Sequence, residues 1–247
     1  MTHTTPSNCY DDRARAQAYA QLEFANTYHL AFRDLAAIFA EHVKGNRALD
    51  FGCGTGRSTR FLKRLGFEVT GIDIAPPMIA KAREVDEAGD YRLIKDGDFS
   101  NLETAEYEVV LSAFTFDNIA GWDRKVRLFH DLSRLLAGSG KIINIVSTPE
   151  IYRHEWASFL TRDYPENLTA KTGDVVRILT TDFPDRRPAE DILWTDEDYM
   201  EVYRRAGLSL VAKHKPLARD DEPYPWVNET RIAPWVIYVL AKTLDPK

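Results

Sequence analysis

The stretch ALDFGCGTG at residues 48–56 constrains the fold more than any other part of this sequence. Its apolar run is followed by Gly52, Gly54 and Gly56 at alternate positions, and a helical pattern starts directly after them. Glycine lets the backbone approach a ligand closely, and a helix N-terminus binds polar ligand groups. A strand, a glycine-rich turn and a helix in this order predict an α/β fold with a binding site at the turn.

Strand and helix patterns alternate after this turn as well. The segments RALDFG, FEVTGID, YRLIK, YEVVLSAF and KIINIVS are strand-like, and helical patterns such as PPMIAKAREV separate them. Apolar strands that alternate with helices predict a parallel sheet covered on both faces. LSLVAKHKP and APWVIYVLAK add two strands near the C-terminus. We therefore expect a Rossmann-like, doubly wound, mostly parallel seven-stranded sheet, with ligands at the carboxyl ends of its strands.

The chain of 247 residues suits a single α/β domain with four parts. A helical pattern over about residues 14–43 predicts an N-terminal helical lid at residues 1–45. We expect residues 46–148, which include the glycine turn, to form the cofactor-binding core. Residues 149–193 are rich in aromatic residues, charge and proline, and we expect them to form an inserted cap. Residues 194–247 complete the sheet, starting with a helix whose N-cap is Thr195.

Composition excludes several classes of protein. The formal net charge is -6, so the chain lacks the basic field on which nucleic-acid binding depends. Two cysteines are too few for a disulfide framework, and no Cys/His cluster has metal-ligand spacing. No segment has the features of a signal peptide or the apolar length of a membrane span. We expect a cytoplasmic protein, monomeric or homodimeric, without bound metal and without nucleic-acid or membrane partners.

The acids near the glycines indicate the charge of the ligand. Asp50 lies at the tip of the first strand, where a carboxylate would repel a diphosphate but attract an ammonium or a sulfonium. The glycines also follow G-x-G-x-G instead of the G-x-G-x-x-G of dinucleotide sites. Asp73 follows at the end of the second strand, where an acid can accept hydrogen bonds from ribose hydroxyls. This pattern favours S-adenosylmethionine as cofactor. A nicotinamide-dependent oxidoreductase and a non-catalytic S-adenosylmethionine-binding protein are the alternatives.

Four segments in succession resemble the signatures of class I S-adenosylmethionine-dependent methyltransferases of the small-molecule type: ALDFGCGTG, VTGIDIAPPMIAKAR, KDGDFSNL and YEVVLSAFTFDNI. The resemblance implies that Gly52 and Gly54 line the methionine part of the cofactor and that Asp73 binds its ribose. It further implies contacts of Ile74, Asp98 and Phe99 with the adenine, with Asp96 as an alternative to Asp98, and it places Ser112 and Phe114 beside the methyl donor. Asp50, Gly56 and Tyr19 complete the expected cofactor-binding set.

The acceptor site is expected above the fourth strand and under the cap. The segment SAFTFDNI differs from the Asn/Asp-Pro-Pro-aromatic motif of relatives that methylate exocyclic amines of adenine or side-chain amides. A planar metabolite that accepts the methyl group on nitrogen or oxygen suits the many aromatic residues of the cap. YDDRARAQAY resembles an N-terminal segment that folds over the cofactor in this family, which makes Tyr10 a catalytic and acceptor-binding candidate. The other catalytic candidates are His154 and Asn118, with Asp117 as a further possible base, and the other acceptor-binding candidates are Phe116, Asn118, Tyr152, Trp156, Trp194 and Trp235.

Overall fold

A seven-stranded sheet forms the centre of the protein in the computed structural model, which describes residues 12–182 and 185–243. The strand order is β3-β2-β1-β4-β5-β10-β9. All neighbouring pairs are parallel except the two that involve β10, which runs antiparallel to both β5 and β9. The predicted Rossmann-like, mostly parallel sheet is therefore confirmed. Its strands are β1 Arg47–Phe51, β2 Glu68–Asp73, β3 Asp90–Leu93, β4 Tyr107–Ala113, β5 Leu136–Ser147, β9 Leu208–His214 and β10 Trp235–Lys242.

The order of the strands reverses between β1 and β4. From β1 the chain proceeds outward through β2 to β3, and then returns to place β4 on the other side of β1. Phe51 at the end of β1 is paired with Ser112 near the end of β4. The loops that leave these two strands therefore diverge from adjacent points, which opens a crevice at the carboxyl edge of the sheet.

The main helices begin where local chemistry favours them. Helix α4, Arg57–Arg64, starts directly after the glycine turn, and α5, Pro76–Val85, has proline in its first turn. Helix α6 spans Trp122–Leu135. Helix α7, Asp196–Arg205, starts with the predicted N-cap Thr195, which forms a reciprocal capping box with Asp198.

The N-terminal region differs from the single helical stretch expected over residues 14–43. It forms three short helices, α1 Arg13–Tyr19, α2 Thr27–Phe32 and α3 Leu35–His42. The chain breaks before α2 because Asn26 adopts a φ of 52°, and because the Thr27 N–H donates to the Ser158 Oγ instead of to a helix carbonyl. Contacts with a distant segment thus decide the course of this region.

Residues between β5 and α7 form a smaller antiparallel sheet of β6 Phe159–Leu160, β7 Val175–Thr180 and β8 Ala189–Ile192. The carboxylate of Glu229 ties this region to the N-terminal helices and to the loop before β10. It is fully buried and accepts hydrogen bonds from the Thr27 hydroxyl and the Ala157 N–H, both at 2.7 Å. Its other oxygen accepts from the N–H groups of Val227 and Asn228.

Apolar side chains cover both faces of the main sheet. One face packs against α2, α3 and the smaller sheet, and the other packs against α6 and α7. Among the described residues, no helix combines the length and the apolar character needed to cross a membrane.

Candidate functional site

The crevice at the strand-order reversal contains a cavity of about 360 Å³, called here the main cavity. Its wall is formed by the glycine turn after β1, the end of β2, the loop after β3 and the turn after β4. A second cavity of about 80 Å³ lies under the smaller sheet and shares four wall residues with the main cavity: Tyr19, Arg57, Phe114 and Asn118. The two cavities therefore adjoin.

Gly52 and Gly54 shape the main cavity in different ways. Both have positive φ, 72° and 53°, which disfavours residues with a side chain. A Cβ atom at Gly52 would lie 2.2 Å from the Thr115 Oγ1, whose hydroxyl donates to the Phe51 carbonyl at 3.0 Å. A Cβ atom at Gly54 would meet nothing within 4 Å. Gly52 thus permits close packing inside the protein, and Gly54 leaves open space for a ligand.

Gly56, the third predicted cofactor-binding glycine, does not line either cavity. It is the N-cap of α4, and the Tyr91 ring packs against its Cα, so that an added Cβ atom would lie 2.6 Å from the Tyr91 Oη. Gly56 therefore supports the turn from beneath and lies off the cavity wall where the sequence predicts a cofactor contact.

Asp73 and Ile74 lie on the main cavity wall, as the sequence predicts. The Asp73 Oδ2 accepts from the Gly54 N–H at 2.9 Å, and its Oδ1 accepts from the Ala75 N–H at 2.8 Å. These bonds fix the carboxylate at the rim of the glycine turn. Ile74 is 42% exposed beside it, so its side chain is accessible to a flat apolar ligand group.

The structure corrects the role expected for Asp50. Its side chain is fully buried beneath the turn and does not line the main cavity. The Oδ2 atom accepts hydrogen bonds from the hydroxyls of Ser58 and Thr59, each at 2.6 Å. Burial raises the pKa of Asp50 to about 6, although these two hydrogen bonds lower it. Asp50 therefore anchors the first turn of α4 instead of contacting a cationic donor.

The loop after β3 presents a different acid from the one expected. Asp96 lines the main cavity, and its carboxylate lies 2.7 Å from the Arg124 guanidinium. Asp98 is exposed, lies off the cavity wall, and accepts from the N–H and hydroxyl of Ser100. The alternative, Asp96, is thus the acid at the cavity, because the turn between the two residues directs their side chains apart.

Phe99 and Ser112 also lie away from both cavities. The Phe99 ring packs 6.1 Å from the Phe51 ring, between centroids. Ser112 is fully buried within β4, because its position in the strand directs its side chain into the protein. Phe114, by contrast, forms part of the wall between the two cavities, with a φ of 65° at the turn after β4. Of the two residues expected beside the methyl donor, Phe114 lines both cavities and Ser112 lines neither.

Three of the predicted acceptor-binding residues line the second cavity: Asn118, Tyr152 and Trp235. The Tyr152 hydroxyl and the Asn118 side-chain amide donate to the two oxygens of Asp191, at 3.0 Å and 2.5 Å. The Trp235 Nε1–H donates to the Thr27 carbonyl, which fixes its ring against α2. Tyr19, predicted to contact the cofactor, lines both cavities. Tyr10 lies outside the described residues.

Four other predicted residues line neither cavity. Phe116 is fully buried and stacks on Phe129 at 3.9 Å. Trp194 packs against Trp122 on the same face of the sheet as α6. Trp156 is buried and its Nε1–H donates to the Ile151 carbonyl. His154, half-exposed, lies 3.0 Å from Glu150 and does not line either cavity.

Other residues of the second cavity were absent from the expected site. Arg57 and Tyr28 line it, and the Arg57 guanidinium lies 4.7 Å from the Tyr28 ring centroid. Asp191 projects from β8, inside a segment without a recognisable motif. Asp117, considered above as a base, also lines the cavity. Arg57 directly follows the glycine turn, and this position could have indicated that it lies at the site. No motif near Tyr28 or Asp191 in the sequence indicates that these residues line a cavity.

Residues 49–144 match a family described as "Methyltransferase domain". Over 102 residues the chain is 34% identical to the malonyl-(acyl-carrier protein) O-methyltransferase of Pectobacterium atrosepticum. This alignment covers 39% of this chain and 39% of that protein. The chain spans less than half the length of the first curated relatives it matches.

Two solved structures have a similar fold over nearly their whole length. The CcbJ methyltransferase from Streptomyces caelestis has a TM-score of 0.65 at 19% identity, covering 99% of this chain and 100% of that one. An S-adenosylmethionine-dependent methyltransferase from Clostridium acetobutylicum has a TM-score of 0.63 at 13% identity, covering 95% and 99%. Residues 49–144 thus match the methyltransferase-domain family, and the chain shares its fold with S-adenosylmethionine-dependent methyltransferases of known structure.

Proposed function

We propose that this chain methylates a nitrogen or an oxygen atom of a small, planar metabolite, for example a heteroaromatic one, with S-adenosylmethionine as the donor. The observation that supports this proposal best is that two cavities adjoin at Phe114 and Asn118. One has the glycine turn and Asp73 in its wall, and the other has six aromatic residues in its wall. Adjoining cavities suit a reaction in which donor and acceptor must meet in line.

The main cavity fits the proposed donor. The open face of Gly54 suits close approach of the methionine part, and the fixed carboxylate of Asp73 suits the ribose hydroxyls. The exposed side chain of Ile74 suits the adenine ring. When bound, S-adenosylmethionine supplies an electrophilic methyl group on a positively charged sulfur.

The second cavity would hold the reacting part of the acceptor. Its aromatic side chains suit a flat ring, and residues 149–193 act in this proposal as a cap that keeps water away. Asn118 and Tyr152 supply polar groups on the same wall. We further propose that Tyr10 and Tyr19 orient the donor and the acceptor. The Pectobacterium relative is an O-methyltransferase, which supports oxygen as one of the two candidate acceptor atoms.

Binding and turnover test this proposal separately. In titration calorimetry, S-adenosylhomocysteine should bind with a 1:1 stoichiometry, and NADH at the same concentration should not bind. Incubation of the protein with isotope-labelled S-adenosylmethionine and a metabolite extract should then yield a labelled small molecule, detected by mass spectrometry. Binding of NADH alone would indicate an oxidoreductase, and donor binding without any labelled product would indicate a non-catalytic protein.

A further inference from the structure

Two carboxylates face the second cavity from different parts of the chain. Asp117 lies in the turn after β4, and Asp191 projects from β8 of the smaller sheet. They are only 4% and 9% exposed. Removing two carboxylates from water is costly unless cations or hydrogen-bond donors compensate, so their partners indicate what the cavity accommodates.

The hydrogen bonds that these carboxylates accept from described residues come from neutral groups. Asp117 accepts from the N–H and the hydroxyl of Ser147, the latter at 2.8 Å. Asp191 accepts from Asn118 and from the Tyr152 hydroxyl. These bonds hold both side chains in place, and neither carboxyl group contacts a cation in the described part of the cavity wall.

Two cationic side chains, Lys125 and Arg15, act electrostatically on the pair, and a third, Arg57, lines the same cavity. Each of the three has other partners. Lys125 is buried on α6, donates to the Phe116 carbonyl and lies 4.7 Å from the Trp194 ring centroid. Arg15 donates to the Pro188 carbonyl. Arg57 donates to the Glu23 carbonyl at 2.9 Å.

The nearby cations offset the burial of the two carboxyl groups only in part. Lys125 lowers the pKa of both carboxylates, and Arg15 lowers that of Asp191. Burial outweighs these effects and raises both pKa values, and the charge of Asp191 raises that of Asp117 further. A cation placed between the two carboxylates would relieve this repulsion.

Aromatic rings in the wall of the same cavity also suit a cation. The rings of Tyr28, Phe114, Phe159 and Trp235 form a contiguous cluster with centroids 4.6–5.9 Å apart. Aromatic faces attract ammonium groups, and aromatic cages are a common way to bind them. Three of these rings belong to α2, β6 and β10, whereas Phe114 lies in the same turn after β4 as Asp117.

We propose, building on the function above, that the acceptor is an amine that enters as its ammonium form between Asp117 and Asp191, with the aromatic cluster against its apolar side. One carboxylate then takes a proton: an N–H bond of the ammonium breaks, a carboxyl O–H bond forms, and nitrogen keeps the electron pair as the lone pair that accepts the methyl group. An alcohol would gain less from the two carboxylates, and a carboxylate acceptor would be repelled by them.

Binding of matched fragments to the protein saturated with S-adenosylhomocysteine tests this inference. Benzylamine, benzyl alcohol and benzoate have the same ring with a cationic, a neutral and an anionic group. In titration calorimetry at pH 7, benzylamine should bind roughly tenfold more tightly than benzyl alcohol, and benzoate should bind most weakly. Repeating the titration in buffers of different ionisation heat should show proton release on benzylamine binding, because the cation displaces the proton that the raised pKa values retain.

Asp117→Asn and Asp191→Asn should each weaken benzylamine binding roughly tenfold and change benzyl alcohol binding less than about twofold. Asp174→Asn, which removes an exposed carboxylate from the same part of the chain, should change neither. Unchanged affinity of each variant for S-adenosylhomocysteine shows that it folds. If a variant fails to fold, the relative affinities of the wild type for the three fragments still test whether the acceptor is cationic.

The outcomes separate this inference from the proposed function. If S-adenosylhomocysteine binds but benzyl alcohol equals benzylamine, the acceptor group is neutral and the inference is wrong, while the methyltransferase proposal stands. Tightest binding of benzoate would indicate an anionic acceptor recognised by Arg57, and would overturn the inference too. Failure of S-adenosylhomocysteine to bind the wild type would overturn the proposed function itself.

Discussion

The backbone N–H of Gly54 donates a hydrogen bond to the Oδ2 of Asp73, at 2.9 Å. This bond joins the glycine turn after β1 to the end of β2, two segments that are 19 residues apart. It orients the carboxylate and the turn relative to each other before any ligand binds. This part of the main cavity wall is thus preorganised by the protein itself.

Asp73→Ala should weaken S-adenosylhomocysteine binding by about 1.5–3 kcal/mol, the range for hydrogen bonds to charged groups. The substitution removes both the proposed ribose acceptor and the support of the Gly54 N–H. Titration calorimetry measures the change, and Asp73→Asn, which keeps one acceptor oxygen, should give an intermediate affinity. Wild-type affinity in the alanine variant would show that the ribose is held elsewhere.

Asp96 and Asp98 form a matched pair within one loop. Asp96→Ala removes a carboxylate from the cavity wall and should weaken S-adenosylhomocysteine binding roughly three- to tenfold. Asp98→Ala removes an exposed carboxylate bound to Ser100 and should change the affinity less than about twofold. The opposite ranking would mean that the loop rearranges when the cofactor binds and that the family pattern applies to Asp98.

The two glycines provide a second matched pair. Gly52→Ala should lower the free energy of unfolding by about 3 kcal/mol, because strain at positive φ adds to a clash with Thr115. Gly54→Ala should cost about 1 kcal/mol of stability but reduce S-adenosylhomocysteine affinity roughly tenfold, since its methyl group enters open space at the cavity. Urea unfolding and calorimetry separate the two effects. Equal stability losses would contradict the different packing of the two positions.

Glu229 should matter for stability and not for cofactor binding. Glu229→Ala leaves four donors without their acceptor in a fully buried site, and should destabilise the fold by about 3 kcal/mol or more. The melting temperature would then fall by about 6–12 °C, and Glu229→Gln should lose less. Calorimetric scans measure both. A melting temperature unchanged in the alanine variant would show that the network contributes little.

The pH dependence of stability should report the buried Asp50. Its folded-state pKa of about 6 lies above the ordinary value, so the folded protein binds more protons than the unfolded chain between the two pKa values. The free energy of unfolding of the wild type, relative to Asp50→Asn, should therefore rise by about 1 kcal/mol between pH 7.5 and pH 5. If the free energies of unfolding of the wild type and Asp50→Asn, measured with urea, changed in parallel with pH, the raised pKa of Asp50 would be contradicted.

Local chemistry was sufficient for much of the fold. The glycine turn between β1 and α4, the proline at the start of α5 and the N-cap Thr195 all follow from preferences of neighbouring residues. Alternating strand and helix patterns predicted the sheet, and the acid at the end of β2 predicted a residue of the cavity wall. Such features depend on interactions within a few residues, which a sequence displays directly.

Only the tertiary structure decided which polar side chains face a cavity and which are enclosed. Asp50 and Asp73 both lie at strand ends, yet one supports α4 from inside and the other reaches the rim, because each strand position directs its side chain to one side. Asp191 meets Asn118 across 73 residues of chain, and Asn26 breaks a helical pattern next to a contact with Ser158. These outcomes depend on packing between distant segments, and no local pattern specifies which segments meet.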